Sequence, residues 1–422
     1  MILATLGSNK LVTTTNAILT EVFTGLKPDE IVILAEEQSK RDYSKIAEIL
    51  KVLGINAKVT EKIMGRGIEE WRNKLKDLKI DVADITPGRK YMALAVYTYS
   101  NAHEIRYIYL EKEEEGYRIF GYAPFTDVRI YDLRNSSLIS YDPPQTIKGG
   151  NKNVELGREG IRALLNLYLL LGNEIVLNLK SEEGSISLTY DGNKLSEISQ
   201  LANEYKTCLV RSGFFVYEAE DNIKRLASDK DNYFIADVNV YINLGNRLSN
   251  LIKNGNQILF SSSTYSELEN MLNTTQKNDK KLYIGNLGMD SFKKIHNTIP
   301  AGYVNKKLGS DIKLIKEAMD LKGHYPNVIL LTCDQGVYNS AHQKIKTVLL
   351  KELRNGKGSV EELIYCLRYF ADIDLEINGK VYATIKRERM YGKDKLSLIN
   401  QEEKYNYPYF ISLVENYLKG EN

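Results

Sequence analysis

Residues 233–242, YFIADVNVYI, constrain the fold more than any other stretch of the chain. An aromatic and aliphatic run leads into Asp237 and the apolar character resumes at Val238, which predicts a buried strand delivering one carboxylate at its C-terminal end. A carboxylate in apolar surroundings costs several kcal/mol or gives up its charge, so Asp237 calls for a cation, a metal or a helix N-terminus beside it. The competing reading is a plain N-cap for the helix that follows.

Three later acids occupy comparable places. Glu267, in ILFSSSTYSELENML, lies one turn into a helix that follows a short strand at 258–260 and a serine-rich turn. Asp311 opens the helix of GSDIKLIKEAM, and Asp334 follows the apolar strand of NVILLTCDQGVYNSA. In an open α/β sheet, strand ends and helix starts gather at the carboxyl edge of the strands, where sites form. Four carboxylates converging there would repel one another unless divalent cations held them, and Mg²⁺ or Mn²⁺ suits such all-oxygen ligands. The ordered set, DVN at 237–239, then Glu267, Asp311 and Asp334, resembles the PIN nuclease domain. The resemblance covers residues 230–351 and implies an α/β nuclease in which these four acids hold metal and act catalytically on RNA. Val238 departs from it, standing where the family more often has Thr or Ser.

With 422 residues the chain is long enough for two or three domains, each burying its own core. Its 57 Lys plus Arg against 55 Asp plus Glu create no global basic field, so any RNA contact must be local. Cys208, Cys333 and Cys366 are widely separated without metal spacing, which predicts three buried thiols in a reducing cytoplasm. The N-terminus MILATLGSNK has no basic start followed by an apolar core, and no apolar run approaches the ~18 residues of a membrane span. A cytoplasmic protein with no membrane contact is expected. The abundant tyrosine, isoleucine and lysine hint at a hot source.

The first segment alternates strands (ILATLG, EIVILAEE, AKVTEKI, DVADIT) with helices, which predicts a Rossmann-like parallel sheet covered on both faces. Two loops then fall at one sheet edge. Gly7, Ser8 and Asn9 follow the first strand, and Thr86, Gly88, Arg89 and Lys90 follow the fourth, a tight turn with two cations at a helix start. Backbone amides and cations at helix N-termini suit phosphate, although caps and turns account for the same residues. No GxGxxG or GxxxxGK[ST] occurs, which disfavours a dinucleotide or a P-loop triphosphate. Together, TLGSNK and DITPGRKYMALA resemble the CARF domain over residues 1–135. That resemblance implies a sensor of cyclic oligoadenylates in type III CRISPR defence, cyclic tetra-adenylate first among them. Gly7, Ser8, Asn9, Thr86, Gly88, Arg89 and Lys90 would bind the ligand.

IRYIYLEK and YRIFGYA predict a hairpin around EEEGY, and VRIYDL another strand. Residues 136–229 read as a linker at 136–152, with hinge residues Pro143, Pro144, Gly149 and Gly150, followed by a small α+β connector. The apolar helix at 160–171 and this linker are the expected carriers of coupling. Residues 352–422 read as helices and a hairpin whose basic tip, Lys386, Arg387 and Arg389 beside Tyr391, could meet RNA or solvent. The four histidines lack metal spacing, and no Arg-x4-6-His occurs, against the HEPN ribonuclease often joined to CARF sensors.

The expectation is thus a CARF-like sensor, a connector and a PIN-like effector: a homodimeric, cyclic oligoadenylate-activated, Mg²⁺- or Mn²⁺-dependent endoribonuclease. Two alternatives remain. One is a ring nuclease in which Ser8 and Lys90 act on the messenger's ribose, the other a ligand-binding regulator without catalysis.

Overall fold

The computed structural model describes residues 1–38, 42–147, 149–182, 184–196, 202–253, 255–273, 279–296, 311–388 and 393–420. Its first sheet is built from β1 (Ile2–Leu6), β2 (Glu30–Ala35), β3 (Lys58–Ile63), β4 (Val82–Asp84), β5 (Glu104–Leu110), β6 (Val128–Asp132) and β7 (Ser137–Ile139). Five strands run parallel in the order β3-β2-β1-β4-β5, and β6 and β7 extend the edge antiparallel. The helices are α1 (Leu11–Phe23), α2 (Ser44–Val52), α3 (Ile68–Lys76), α4 (Lys90–Tyr99) and the short α5 (Glu113–Gly116). Continuous apolar runs such as IVILA are what a strand covered on both faces needs, and Ile31, Ile33 and Leu34 are fully buried. Strand order reverses between β1 and β4, so their C-terminal loops diverge around a crevice.

The expected hairpin is not formed. EEEG coils into α5, residues 117–123 form no strand, and β5 pairs with β6 instead. The physical reason is burial: Ile119 and Phe120 are 4% and 3% exposed, and Phe120 packs 4.9 Å from Phe23 and 6.2 Å from Phe410. The segment is a plug between two bodies, and packing overrides its strand-like alternation.

The second body opens with β8 (Asn153–Leu156), α6 (Arg158–Leu169), β9 (Ile175–Ser181) and β10 (Gly184–Tyr190). The chain then leaves through α7 (Asn203–Arg211), β11 (Phe215–Tyr217) and α8 (Glu220–Ala227). An inserted unit follows: β12 (Asn232–Ala236), α9 (Val238–Leu244), α10 (Arg247–Leu251), α11 (Ser262–Leu272), α12 (Asp279–Ile295), α13 (Asp311–Leu321), β13 (Asn327–Thr332), α14 (Gln335–Ala341) and β14 (Lys346–Leu349). Through β15 (Leu353–Asn355) the chain returns to α15 (Val360–Leu367), β16 (Asp372–Ile377), β17 (Lys380–Ile385), β18 (Leu396–Asn400) and α16 (Tyr407–Lys419). The connector and the C-terminal segment therefore share one antiparallel sheet, β10-β9-β16-β17-β18-β8. The inserted unit has its own parallel sheet, β12-β13-β14, with Ile258 bridged beside Phe234.

The linker is pinned rather than loose. The Asp142 amide donates to Phe23, and buried Ile147 exchanges backbone hydrogen bonds with Lys404 and Asn406. The basic tip is engaged as well: Lys386 and the Arg387 amide bond Asp372 at 2.8 and 2.6 Å, while Arg389 and Tyr391 lie outside the described residues.

The expectation of three thiols is corrected. Cys208 on α7 and Cys366 on α15 form a disulfide across a sequence separation of 158, and only Cys333 is free. The two helices pack together and bury both cysteines, bringing their Cα atoms within 5.4 Å. Cross-linking so distant a pair restricts the unfolded chain, so Cys208→Ala/Cys366→Ala is expected to lose roughly 2–4 kcal/mol. Unfolding free energies of the oxidised protein and the double variant, each from its own denaturant midpoint and slope, measure it; equal free energies would contradict it.

Candidate functional site

At the reversal of the first sheet, the loops after β1 and β4 enclose a cleft of about 690 Å³. Gly7, Ser8, Asn9, Thr86, Gly88 and Arg89 line it. Lys90, the first residue of α4, is exposed and is not among the lining residues. Gly88 has φ 85°, and a Cβ there would meet the Leu6 Cβ at 3.0 Å, so the turn requires glycine. The Gly7 amide bonds Leu34 at 2.8 Å and the Ser8 amide bonds the Thr14 hydroxyl at 3.1 Å, which ties the first loop to β2 and α1.

Two helices start at this cleft, and neither α1 nor α4 carries an acid in its first turn. Their partial positive ends favour an anion. Of the cations, Arg89 faces Glu36 at 3.3 Å, Arg66 pairs with Glu37, and Lys10 lies 3.8 Å above the Tyr117 ring. Sequence reasoning missed Arg66, Tyr117 and the two glutamates. The glutamates close EIVILAEE at the same carboxyl edge, and that position was the available signal.

Asp84 locks the cleft floor. It is 1% exposed; its Oδ2 accepts from the Thr5 hydroxyl at 2.9 Å, and its Oδ1 from the Thr86 amide and hydroxyl at 3.0 and 2.5 Å. Thr86 Oγ1 in turn accepts from the Ile108 amide at 2.7 Å, so the Asp84 and Thr86 side chains together tie the second loop to β1, β4 and β5.

At the carboxyl edge of the inserted sheet, Asp237 is 6% exposed at the N-cap position of α9. Thr332 Oγ1 donates to its Oδ2 at 2.9 Å and accepts from the Asp334 amide at 3.0 Å, so these two sequence-selected acids meet across one threonine. Asp334 Oδ1 accepts from the Gly336 and Val337 amides at 2.6 and 3.0 Å and caps α14. Burial pushes the neighbouring Cys333 thiol up to about 11, and the charges of Asp237 and Asp334 push the same way. Glu267 is exposed on α11. Asp311 begins α13, but its side chain lies outside the described residues.

The acid that sequence reasoning missed is Glu317. It accepts from the Ser261 and Ser262 hydroxyls, both at 2.8 Å, and from the Ser262 and Ser263 amides at 2.7 and 3.1 Å, closing the N-terminus of α11. The run of three serines was its only sign. Among the described residues no three His, Cys, Asp or Glu side chains form a metal-holding group. Mg²⁺ can use as few as one or two protein carboxylates beside water and substrate phosphates, and Asp237 and Asp334 are the residues here that could supply them.

The fold and site define an α/β protein whose Rossmann-like sheet carries a cleft at its switch point, lined by Lys10, Arg66 and Arg89 together with Glu36, Glu37 and Glu61. No protein-family model and no curated protein matches the chain. Among solved structures it is similar to Can2 from Sulfobacillus thermosulfidooxidans in complex with cyclic tetra-adenylate, at 11% identity and TM-score 0.29 over 87% of this chain and 95% of that one. It is also similar to protein VC1899 from Vibrio cholerae, at 10% identity and TM-score 0.30 over 87% of this chain and 97% of that one. Likeness at this level assigns neither family nor activity. Among the described residues no helix is long and apolar enough to cross a membrane.

Burial pushes the Asp84 carboxyl from 3.8 up to about 6, against the pull of its Thr86 and Thr5 donors. A folded value above the unfolded one means that the folded state holds the proton more tightly. The stability from Asp84 is therefore fully present in acid and is lost as pH rises from about 4 through about 6. The difference in unfolding free energy between wild type and Asp84→Asn, from urea titrations, should fall by ~3 kcal/mol between about pH 3 and pH 7. A flat difference would contradict the assignment.

Proposed function

We propose that the chain is a cyclic oligoadenylate-activated, metal-dependent endoribonuclease of type III CRISPR defence, acting as a homodimer. The observation that carries the sensor half is the switch-point cleft, where two helix N-termini and six of the seven sequence-selected residues surround one space. With the Gly7 and Ser8 amides already given to Leu34 and Thr14, the N-terminal turns of α1 and α4 would receive the ligand's phosphates. Lys10, held over Tyr117 with no carboxylate partner among the described residues, is the cation most available to them. Lys90 stands outside the cleft, so the geometry favours binding over messenger cleavage by the Ser8 and Lys90 pair.

Asp237 and Asp334, with Glu267 and Asp311 as further candidates, would hold the Mg²⁺ or Mn²⁺ in the second half. When bound, the metal lowers the pKa of an attacking water and neutralises the scissile phosphate. Thr332 orients Asp237, and the α14 N-terminus steadies Asp334.

With cyclic tetra-adenylate, labelled RNA and Mn²⁺, cleavage should require the ligand and stop with chelator. Asp237→Asn should lower the cleavage rate at least ~100-fold while ligand affinity stays unchanged. Near wild-type cleavage by that variant would remove the second-half site.

A ligand with rotational symmetry fits a two-fold dimer. One face of the first sheet suits it: Tyr107 and Leu138 are 39% and 63% exposed in register across Tyr131, and Leu94 of α4 is 59% exposed. Leu94→Glu/Leu138→Glu should convert the dimer into a monomer in light scattering while leaving the circular dichroism spectrum intact. A variant that stays dimeric would place the interface elsewhere.

A further inference from the structure

Where the second body meets the inserted unit lies a cavity of about 350 Å³, separate from both sites above. Four guanidiniums line it: Arg158 from α6, Arg211 at the end of α7, Arg247 from α10 and Arg368 just after α15. Lys357 adds a fifth cation, against two lining carboxylates, Asp290 and Glu362.

Acids answer only part of this charge. Arg158 pairs with Glu362, and Arg247 with Glu220. Arg211 gives Nη1 to the Tyr241 and Ile242 carbonyls at 3.1 and 2.9 Å and Nη2 to the Ser291 hydroxyl at 2.7 Å. Arg368 gives Nη2 to the Tyr369 hydroxyl and the Lys393 carbonyl, both at 2.9 Å, while its Nε and Nη1 are buried with no hydrogen-bond partner. Arg368 is 5% exposed, and neither Arg211 nor Arg368 makes an ion pair among the described residues. Like charges are also held close: Arg158 and Arg368 lie 4.3 and 4.7 Å from the centroid of the same ring, Tyr365.

Taking a charge out of water is costly unless a counter-charge and full hydrogen bonding offset it. Among the described residues no carboxylate forms an ion pair with Arg211 or Arg368; Asp290 and Glu362 favour the Arg211 charge without pairing with it, and two N–H groups of Arg368 are left for an incoming anion. We propose that this cavity binds a phosphorylated small molecule of mononucleotide size, with its phosphate against Arg211 and Arg368. Guanidinium forks match phosphate oxygens in pairs. The volume excludes a larger guest: about 350 Å³ is near the lower limit for a small-molecule pocket and half that of the sensor cleft. Asn246, Asn250 and Ser212 offer polar contacts to the rest of the ligand. Occupancy would clamp the second body to the inserted unit, because the walls come from both.

Equilibrium dialysis of the full chain against labelled adenosine 5′-monophosphate, with inorganic phosphate as competitor, tests the proposal. Saturable binding is expected, displaced by phosphate only at higher concentration. Arg211→Gln/Arg368→Gln should weaken it by more than ~10-fold, since charge-assisted contacts are removed. Asp290→Asn should tighten it, because a like charge leaves the cavity; a variant that merely unfolds cannot bind more strongly. Arg89→Ala, in the sensor cleft, should leave affinity unchanged. No saturable binding, unchanged affinity in Asp290→Asn, or binding lost in Arg89→Ala but kept in the double arginine variant would each overturn the assignment.

Discussion

Phe23 ends α1 against Phe120, Phe125 and Phe410, with ring centroids 4.9, 6.3 and 5.9 Å away, and the position of the first sheet on the second body depends on that contact. Each aromatic pair adds about 0.5–1.5 kcal/mol beyond the area it buries. The geometry matters more than the sum. α1 starts at the cleft with Leu11 and reaches the aromatic joint after 13 residues, a rigid span of about 20 Å. Phe410 sits on α16, whose Glu415 accepts from the Gly157 amide at 3.2 Å just ahead of α6. Residues 117–123 touch both ends, with Tyr117 under Lys10 and Phe120 in the joint. An anion drawing on the α1 amides would therefore act on the second body through packed rings. The pinned linker, with Ile147 locked into the C-terminal segment, is a less suitable carrier than its Pro and Gly content suggests.

The parallel half of the first sheet was legible because its strands are short apolar runs separated by amphipathic helices, a pattern with few alternatives. The cleft residues were legible for a related reason: two glycine turns follow strands β1 and β4, whose C-terminal ends lie side by side at the switch point, although capping alone would explain either turn. YRIFGYA was not, since its alternation suits a strand equally well and its burial is decided by Phe410, far along the chain. The same limit hid the second sheet. β9 and β16 pair from Ile175–Ser181 to Asp372–Ile377, with an entire unit inserted between them, and no local pattern records such a partner. The Cys208–Cys366 bond was hidden likewise, because spacing along the chain says nothing about two helices that meet in space.

The two parallel sheets solve one problem in different ways. Each ends a buried strand in an aspartate held by a threonine hydroxyl: Asp84 by Thr5 and Thr86, Asp237 by Thr332. In the first sheet burial, and after it the charge of Asp84, pushes the carboxyl of a second acid, Glu21, up to about 8, and Arg106 donates to it at 2.7 Å. The cation there is part of the chain, so the edge is a fixed support for the loop. In the inserted sheet Asp237 meets Asp334 through Thr332, and the cap on α14 satisfies Asp334 with neutral amides rather than with a lysine or arginine. Under the proposed function the Asp237 and Asp334 carboxylates draw a divalent cation, and with it a phosphate, to the edge of β12 and β13, whereas the buried Asp84 carboxyl spends its oxygens on the Thr5 and Thr86 donors and serves to support the loop.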